Sequence, residues 1–185
     1  MTGVLNLPNT LTIGRIVMIP VICWLLVTGD PALRWLAFAL YAAAAVSDWL
    51  DGYLARKLNQ GSALGRMLDP IADKLLVAAL LLVLAWTGIL SSWDLVPAIP
   101  IMMREILVSG IREYLGPRNV VIHVTQLAKW KTTLQLVAIA IVIVEGLIPG
   151  LTLVSDIVLW AAGLLTVWTG ADYFRQAWPH LAGRS

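Results

Sequence analysis

The chain has 185 residues, 59% of them hydrophobic and only 13% charged, with a formal net charge of +2. Soluble domains carry about a quarter charged residues, so this composition excludes a water-exposed enzyme or a nucleic-acid-binding module. It points to an integral membrane protein in which the placement of the few charges matters more than their sum.

Apolar runs cover 11–29, 35–47, 75–90, 134–148 and 151–171, several close to the ~20 residues of a spanning helix. They are continuous in Leu, Ala and Val rather than alternating, so helices are expected and strands are not. The polar stretch from Asn6 to Thr12 leads into the first helix, with Asn9 or Thr10 as its cap and Pro8 restricting the approach. Asn9 has a second reading, as a polar contact to a substrate phosphate. Arg15 interrupts the first apolar run and no small-residue cleavage site is evident, so no cleavable signal peptide is expected. Cys23, the single cysteine, lies in the same run and reads as packing.

Gly29-Asp30-Pro31 turns the chain into a second helix, expected over 33–56. A polar linker, 57–62, separates it from a third helix capped by Ser62 and ending near Thr87. Pro97 and Pro100 fall early in the fourth helix, which Gly116-Pro117-Arg118-Asn119 ends. The fifth is expected from near Val121. Pro149-Gly150 makes the last turn, and the sixth helix runs to about Trp178. The expected fold is therefore all-α with six transmembrane helices, in one domain over 1–185. Basic residues concentrate at the helix ends around the 57–62 and 116–121 loops, at Arg56, Lys57, Arg66, Arg112, Arg118, Lys129 and Lys131, whereas the opposite loops hold essentially Arg34. The positive-inside rule then puts that side, and both termini, in the cytoplasm.

Four carboxylates stand out. Asp48 and Asp51 are three apart near the end of the second helix, and Asp69 and Asp73 are four apart near the start of the third. Each pair shares a helix face, and two such faces turned together make a pocket of four carboxylates. Even one buried Asp costs about 2.5–3.5 kcal/mol at a membrane-helix centre, so a compensating cation is required, and hard divalent ions take carboxylate oxygens. This reads as a metal site that handles phosphate. Gly52, Ala55 and Gly65 lack bulk and permit close approach, either of a flat ligand or of a neighbouring helix. Arg56 offers a fork to phosphate oxygens or an anchor on the cytoplasmic side. Arg104 and Arg112, eight apart, share a face of the fourth helix, and Lys129 and Lys131 open the fifth. Basic residues at membrane depth usually face a polar cavity, and this set suits a phosphorylated ligand, with one of the two lysines facing it. His123 and His180 are isolated, and no Ser-His or Cys-His arrangement argues for a covalent intermediate.

Written out, residues 48 to 73 read D-x2-D-G-x2-A-R-x8-G-x3-D-x3-D. This resembles the signature of the CDP-alcohol phosphatidyltransferase family at all eight of its positions. The resemblance implies that Asp48, Asp51, Asp69 and Asp73 hold two divalent ions, Mg²⁺ or Mn²⁺, with Asp73 also the general base. It implies that Gly52, Ala55 and Gly65 accommodate the cytidine nucleotide of CDP-diacylglycerol and Arg56 its diphosphate. Three further stretches, Asn6 to Arg15, Arg104 to Glu113 and Leu127 to Thr132, are similar to bacterial family members that use sn-glycerol 3-phosphate as acceptor. That similarity implies phosphatidylglycerophosphate and CMP as products, an acceptor phosphate on Arg104, Arg112, Lys129 and Lys131, a homodimer, and a site on the cytoplasmic side of the bacterial inner membrane. Inositol phosphate, serine or phosphatidylglycerol are the alternative acceptors. A cation transporter is the remote alternative, disfavoured because the acids lie toward one side without repeated halves.

Overall fold

The computed structural model describes residues 7–57, 62–118, 120, 122 and 126–182, without the side chains of Pro8, Trp49, Asp51, Gly52, Leu54, Ala55, Arg56 and Lys129. Among the described residues there are six α-helices and no strand: α1 (Leu7–Val27), α2 (Pro31–Lys57), α3 (Ala63–Trp86), α4 (Leu95–Leu115), α5 (Gln126–Val144) and α6 (Thr152–Leu181). Short 3₁₀ turns follow α4 and α5. Three of the helices carry stretches long and apolar enough to cross a membrane, Asn9–Val27, Gln126–Leu147 and Thr152–Leu181.

The helix ends follow local chemistry. Ser62 caps α3 as expected, its Oγ accepting from the Gly65 amide at 2.9 Å. The turn before α2 does more than reverse the chain. Gly29 takes φ +71°, a region that costs glycine little. Asp30 Oδ1 then accepts from the amides of Ala32 and Leu33 at 2.8 and 3.0 Å, and Pro31 takes the first helical position, where no amide is needed. The expected cap at Asn9 or Thr10 is corrected: α1 already runs from Leu7, so both lie inside the helix. Asn9 Oδ1 instead accepts from the Ser62 hydroxyl at 2.8 Å, tying α1 to the start of α3. α6 continues past Trp178 to Leu181. The expected start of α5 near Val121 lies outside the described residues.

The helices form two groups. α1 packs on α2 and α3, while α4 and α5 pack on α6, and the groups meet where α5 lies against α2 and α3 and α4 against α3. Ile22 and Leu26 of α1, Tyr41 and Ala44 of α2, Leu76, Leu80 and Leu84 of α3, Ile139 and Ile143 of α5 and Leu159 of α6 form a shared core. Polar ties cross the seam between the groups. The Tyr41 hydroxyl donates to the Leu136 carbonyl at 2.8 Å. Arg34 donates to the Ile143 and Val142 carbonyls, which are among the last in α5 and lack a full set of helical partners. Close approach holds α4 to α6: a Cβ built on Gly163 would lie 2.6 Å from Pro97 Cβ, and one on Gly170 would lie 2.9 Å from Arg104 Cγ. Small residues at helix crossings supply the dispersion contact that drives association in lipid. Trp35, Trp86, Trp93, Trp130 and Trp178 are exposed, in keeping with interfacial anchoring.

Candidate active site

Where the two helix groups meet, their charged ends enclose a cavity of about 300 Å³. Arg15 comes from α1, Asp48 from α2, Asp73 and Lys74 from α3, Arg104, Glu105 and Arg112 from α4, and Lys131 and Gln135 from α5. The helix directions explain this convergence. α2 runs down to Asp48 with Ala44 one turn before it, whereas α3 and α5 run the other way and reach Leu76 and Gln135 one turn after Asp73 and Lys131. The charges of α2, α3 and α5 therefore lie to one side of a floor made by Ala44, Ala45, Leu76, Val77, Gln135 and Leu136.

On one wall the carboxylates are held by a buried cation. Arg15 is 0% exposed, and its Nη1 lies 2.7 Å from Asp48 Oδ1 and 2.8 Å from Asp73 Oδ1. The two Asp side chains are 40% and 51% exposed toward the cavity side. One guanidinium thus joins a residue of each motif half, as the need to compensate charge at membrane depth demands. Thr12, one turn before Arg15, donates to Asp69 Oδ1 at 2.8 Å, which turns Asp69 toward α1. The N-terminal helix therefore supplies partners to three of the four motif carboxylates.

The opposite wall is basic. Lys131, 1% exposed, donates to Glu105 Oε1, and Arg104 Nη1 reaches the same oxygen at 3.2 Å. Arg104 Nε is buried without a hydrogen-bond partner. Arg112, two turns along α4, is exposed and completes this wall. Lys74 donates to the Pro70 carbonyl at 2.7 Å and lines the cavity between the walls. Among the described residues, five cationic side chains line the cavity against three anionic ones, a bias toward an anion.

Of the residues expected from sequence, Asp48, Asp73, Arg104, Arg112 and Lys131 meet in this cavity. Lys131 of the lysine pair faces the cavity; the Lys129 side chain lies outside those described. So do the side chains of Asp51, Ala55 and Arg56, and Gly52. Gly65 packs against α1, where an added Cβ would stand 2.7 Å from Asn9 Oδ1 and 3.2 Å from Ser62 Oγ. Sequence reasoning missed Arg15, Thr12, Lys74, Glu105 and Gln135 as site residues. Arg15 was legible as a charge breaking an apolar run, and Gln135 as a lone amide one turn beyond Lys131.

The donor set is chemically suited to a hard divalent cation, because it offers carboxylate oxygens and a neighbouring hydroxyl rather than thiolate or imidazole. Among the described residues no three acidic, His or Cys side chains are gathered closely enough to hold an ion by themselves. Asp48 and Asp73 are near one another across Arg15, Asp69 turns to Thr12, and a full set would draw on Asp51.

A family model for CDP-alcohol phosphatidyltransferase matches residues 5–168. A protein of Rickettsia bellii is 44% identical over 173 residues, covering 92% of this chain and 94% of its own. Another from Pseudomonas fluorescens is 39% identical over 184 residues, 96% of this chain and 92% of its own. A third, from Cereibacter sphaeroides, is 37% identical, covering 95% and 97%. All three bear the name CDP-diacylglycerol–glycerol-3-phosphate 3-phosphatidyltransferase. The match spans the carboxylates, their Arg15 partner and the basic wall alike, and on it the chain belongs to the CDP-alcohol phosphatidyltransferase family.

Proposed function

We propose that this protein transfers the phosphatidyl group of CDP-diacylglycerol to sn-glycerol 3-phosphate, releasing CMP and forming phosphatidylglycerophosphate. The observation that carries the reading is the two-walled cavity, with Asp48 and Asp73 on one side and Arg104, Arg112 and Lys131 on the other. An anionic acceptor set against the basic wall presents its terminal hydroxyl to the acidic one. Asp73 takes the proton of that hydroxyl as its oxygen attacks, in line, the phosphorus that bears the diacylglycerol. The bond from this phosphorus to the CMP oxygen breaks, and a single displacement inverts the phosphorus. Arg15, 2.8 Å from Asp73 Oδ1, orients that carboxylate for this step. The preponderance of basic groups favours a phosphorylated acceptor over serine or phosphatidylglycerol.

Asp48, Asp51, Asp69 and Asp73 would hold two divalent cations, Mg²⁺ or Mn²⁺. Such ions, when bound, neutralise the diphosphate and stabilise the departing CMP. Gly52, Ala55, Gly65 and Arg56 are assigned to the CDP moiety on the strength of the motif, and Lys129 is kept as a contributor to the acceptor side. Asn9, which contacts Ser62 rather than the cavity, is retained only as a phosphate contact near the α3 N-terminus.

All six helices cross the bacterial inner membrane in this proposal, as a single domain over 1–185. Of the three more polar helices the shortest, α4 at 21 residues, is about 30 Å long, which matches the ~30 Å hydrocarbon core. Asp48 of α2, Asp73 and Lys74 of α3 and Arg104, Glu105 and Arg112 of α4 line the cavity. The distribution of basic residues supports a cytoplasmic site, and the resemblance supports a homodimer. CMP release by detergent-purified protein, with CDP-diacylglycerol and each acceptor tried separately, tests the reading. Release with sn-glycerol 3-phosphate that a chelator abolishes is expected. Release only with inositol phosphate or serine would overturn the acceptor assignment, and none with any acceptor would overturn the activity.

A further inference from the structure

The basic wall accounts for an acceptor's phosphate but not for the floor beneath it. Gln135 is the polar residue of that floor among the described lining residues, with Ala44, Ala45, Leu76, Val77 and Leu136 around it. It is 2% exposed, and its Oε1 is buried with no hydrogen-bond partner. A buried amide oxygen left without a donor is destabilising, and most such groups in proteins are satisfied. An apolar residue at this position would avoid the penalty, as its neighbours do. Gln135 stands one turn, about 6 Å, beyond Lys131 on the same face of α5. It therefore lies just past the level of the charges and within reach of a ligand whose anionic end sits on Lys131 and Arg104. The second unmet group in the cavity, Arg104 Nε, is a donor suited to a phosphate oxygen.

Building on the acceptor reading above, we propose that Gln135 recognises the non-reacting hydroxyl of the acceptor and makes the site selective for a phosphorylated vicinal diol. The terminal hydroxyl reacts at Asp73 and the phosphate occupies Arg104 and Lys131. The middle hydroxyl of the three-carbon chain then falls to the floor side. A hydroxyl both donates and accepts, and rotation about the last torsion of Gln135 presents either its oxygen or its NH₂. The two groups are complementary in either orientation. Gln135 acts here as a specificity-determining residue and takes no part in bond making.

The test compares sn-glycerol 3-phosphate with 3-hydroxypropyl phosphate, which keeps the phosphate and terminal hydroxyl and lacks the middle one. CMP release by the detergent-purified full chain gives kcat/KM for each, for wild type, Gln135→Met and Gln135→Glu. A site built to bond a hydroxyl rejects the analogue that lacks it, so the wild-type ratio is expected to favour glycerol 3-phosphate by about 10- to 100-fold. Gln135→Met should bring the ratio close to one, whereas Gln135→Glu, which keeps an acceptor oxygen, should retain most of the preference. A wild-type ratio near one overturns the proposal, as does a Gln135→Met enzyme that loses rate on both substrates with the ratio intact. Should Gln135→Met not purify as a folded protein, the wild-type ratio and Gln135→Ala decide in the same way. A wild type that turns over inositol phosphate or serine but neither three-carbon phosphate would overturn the acceptor reading itself, an outcome distinct from failure at Gln135.

Discussion

Arg15 Nη1 lies 2.8 Å from Asp73 Oδ1, and the same nitrogen lies 2.7 Å from Asp48 Oδ1. One buried side chain of α1 thus fastens the second carboxylate motif half to the first. Removing a buried cation leaves its carboxylates uncompensated and also empties the space its stem filled. Arg15→Met is expected to lower turnover at least ~100-fold. The stability loss should be about 1–3 kcal/mol, at the low end of buried ion pairs because both carboxylates are half exposed. Arg15→Lys keeps the charge but not the forked geometry and should recover part of each. CMP release and thermal unfolding of the detergent-solubilised protein read the two effects. Wild-type turnover in Arg15→Met would remove Arg15 from the site.

Asp73 is assigned the proton transfer, so an isosteric amide should stop chemistry while sparing the ligand pocket. Asp73→Asn is expected to reduce CMP release by 10²–10⁴-fold, the usual worth of a general base, while binding of CDP-diacylglycerol stays measurable by ligand-induced thermal shift. Near-normal turnover would exclude Asp73 as the base.

On the basic wall, Arg112 is exposed at the cavity, whereas Lys131 is buried against Glu105. The two should fail differently. Arg112→Ala is expected to raise the KM for glycerol 3-phosphate by about 5- to 20-fold, as loss of a charge-assisted hydrogen bond predicts, with a smaller change for CDP-diacylglycerol. Lys131→Met removes the hydrogen-bonded cation of the Glu105 carboxylate, leaving Arg104 and Lys74 near it, and should also lower the unfolding temperature by several degrees. Equal KM effects of Arg112→Ala on both substrates would move Arg112 out of the acceptor site.

Two glycines on α6 separate packing from function. At Gly163 an added methyl meets Pro97 Cβ at 2.6 Å and its Cα at 2.9 Å. Backbone cannot yield as a side chain can, so Gly163→Ala should destabilise by about 1–3 kcal/mol. At Gly170 the methyl meets the flexible stem of Arg104 at 2.9 Å. Gly170→Ala should therefore cost little stability and instead displace Arg104, raising the acceptor KM about 3- to 10-fold. Unfolding curves and acceptor KM for both variants give the comparison, and an unchanged KM in a stable Gly170→Ala protein would contradict the placement of Arg104.

Much of this was legible in the residues alone. Continuous apolar runs impose helices, because backbone groups in lipid must be satisfied within the segment. Ser62, Pro149-Gly150 and Gly116 punctuate them by local chemistry that needs no tertiary context. The i, i+3 and i, i+4 spacings predict a shared face for Asp48 with Asp51 and for Asp69 with Asp73; Asp48 and Asp73 line the cavity, whereas Asp69 accepts from Thr12. The first turn of α1 was misread because Asn9 looks like a cap, yet its oxygen is taken by Ser62, 53 positions away. Asp30 was read as a turn because its capping role rests on the amides of Ala32 and Leu33.

What tertiary structure decided was which distant groups share the cavity. Spacing along a helix fixes a face, but not what that face meets. That Arg15 reaches Asp48 and Asp73 depends on α1 packing against both α2 and α3. That Lys131 and Gln135 both line the cavity follows from the way α5 lies against α2 and α3. Lone polar residues in apolar helices carry no periodic signal, and those with distant partners find them 26 to 109 positions away. Local sequence determined the helices and their charged ends, and the packing of one helix group on the other made those ends a site.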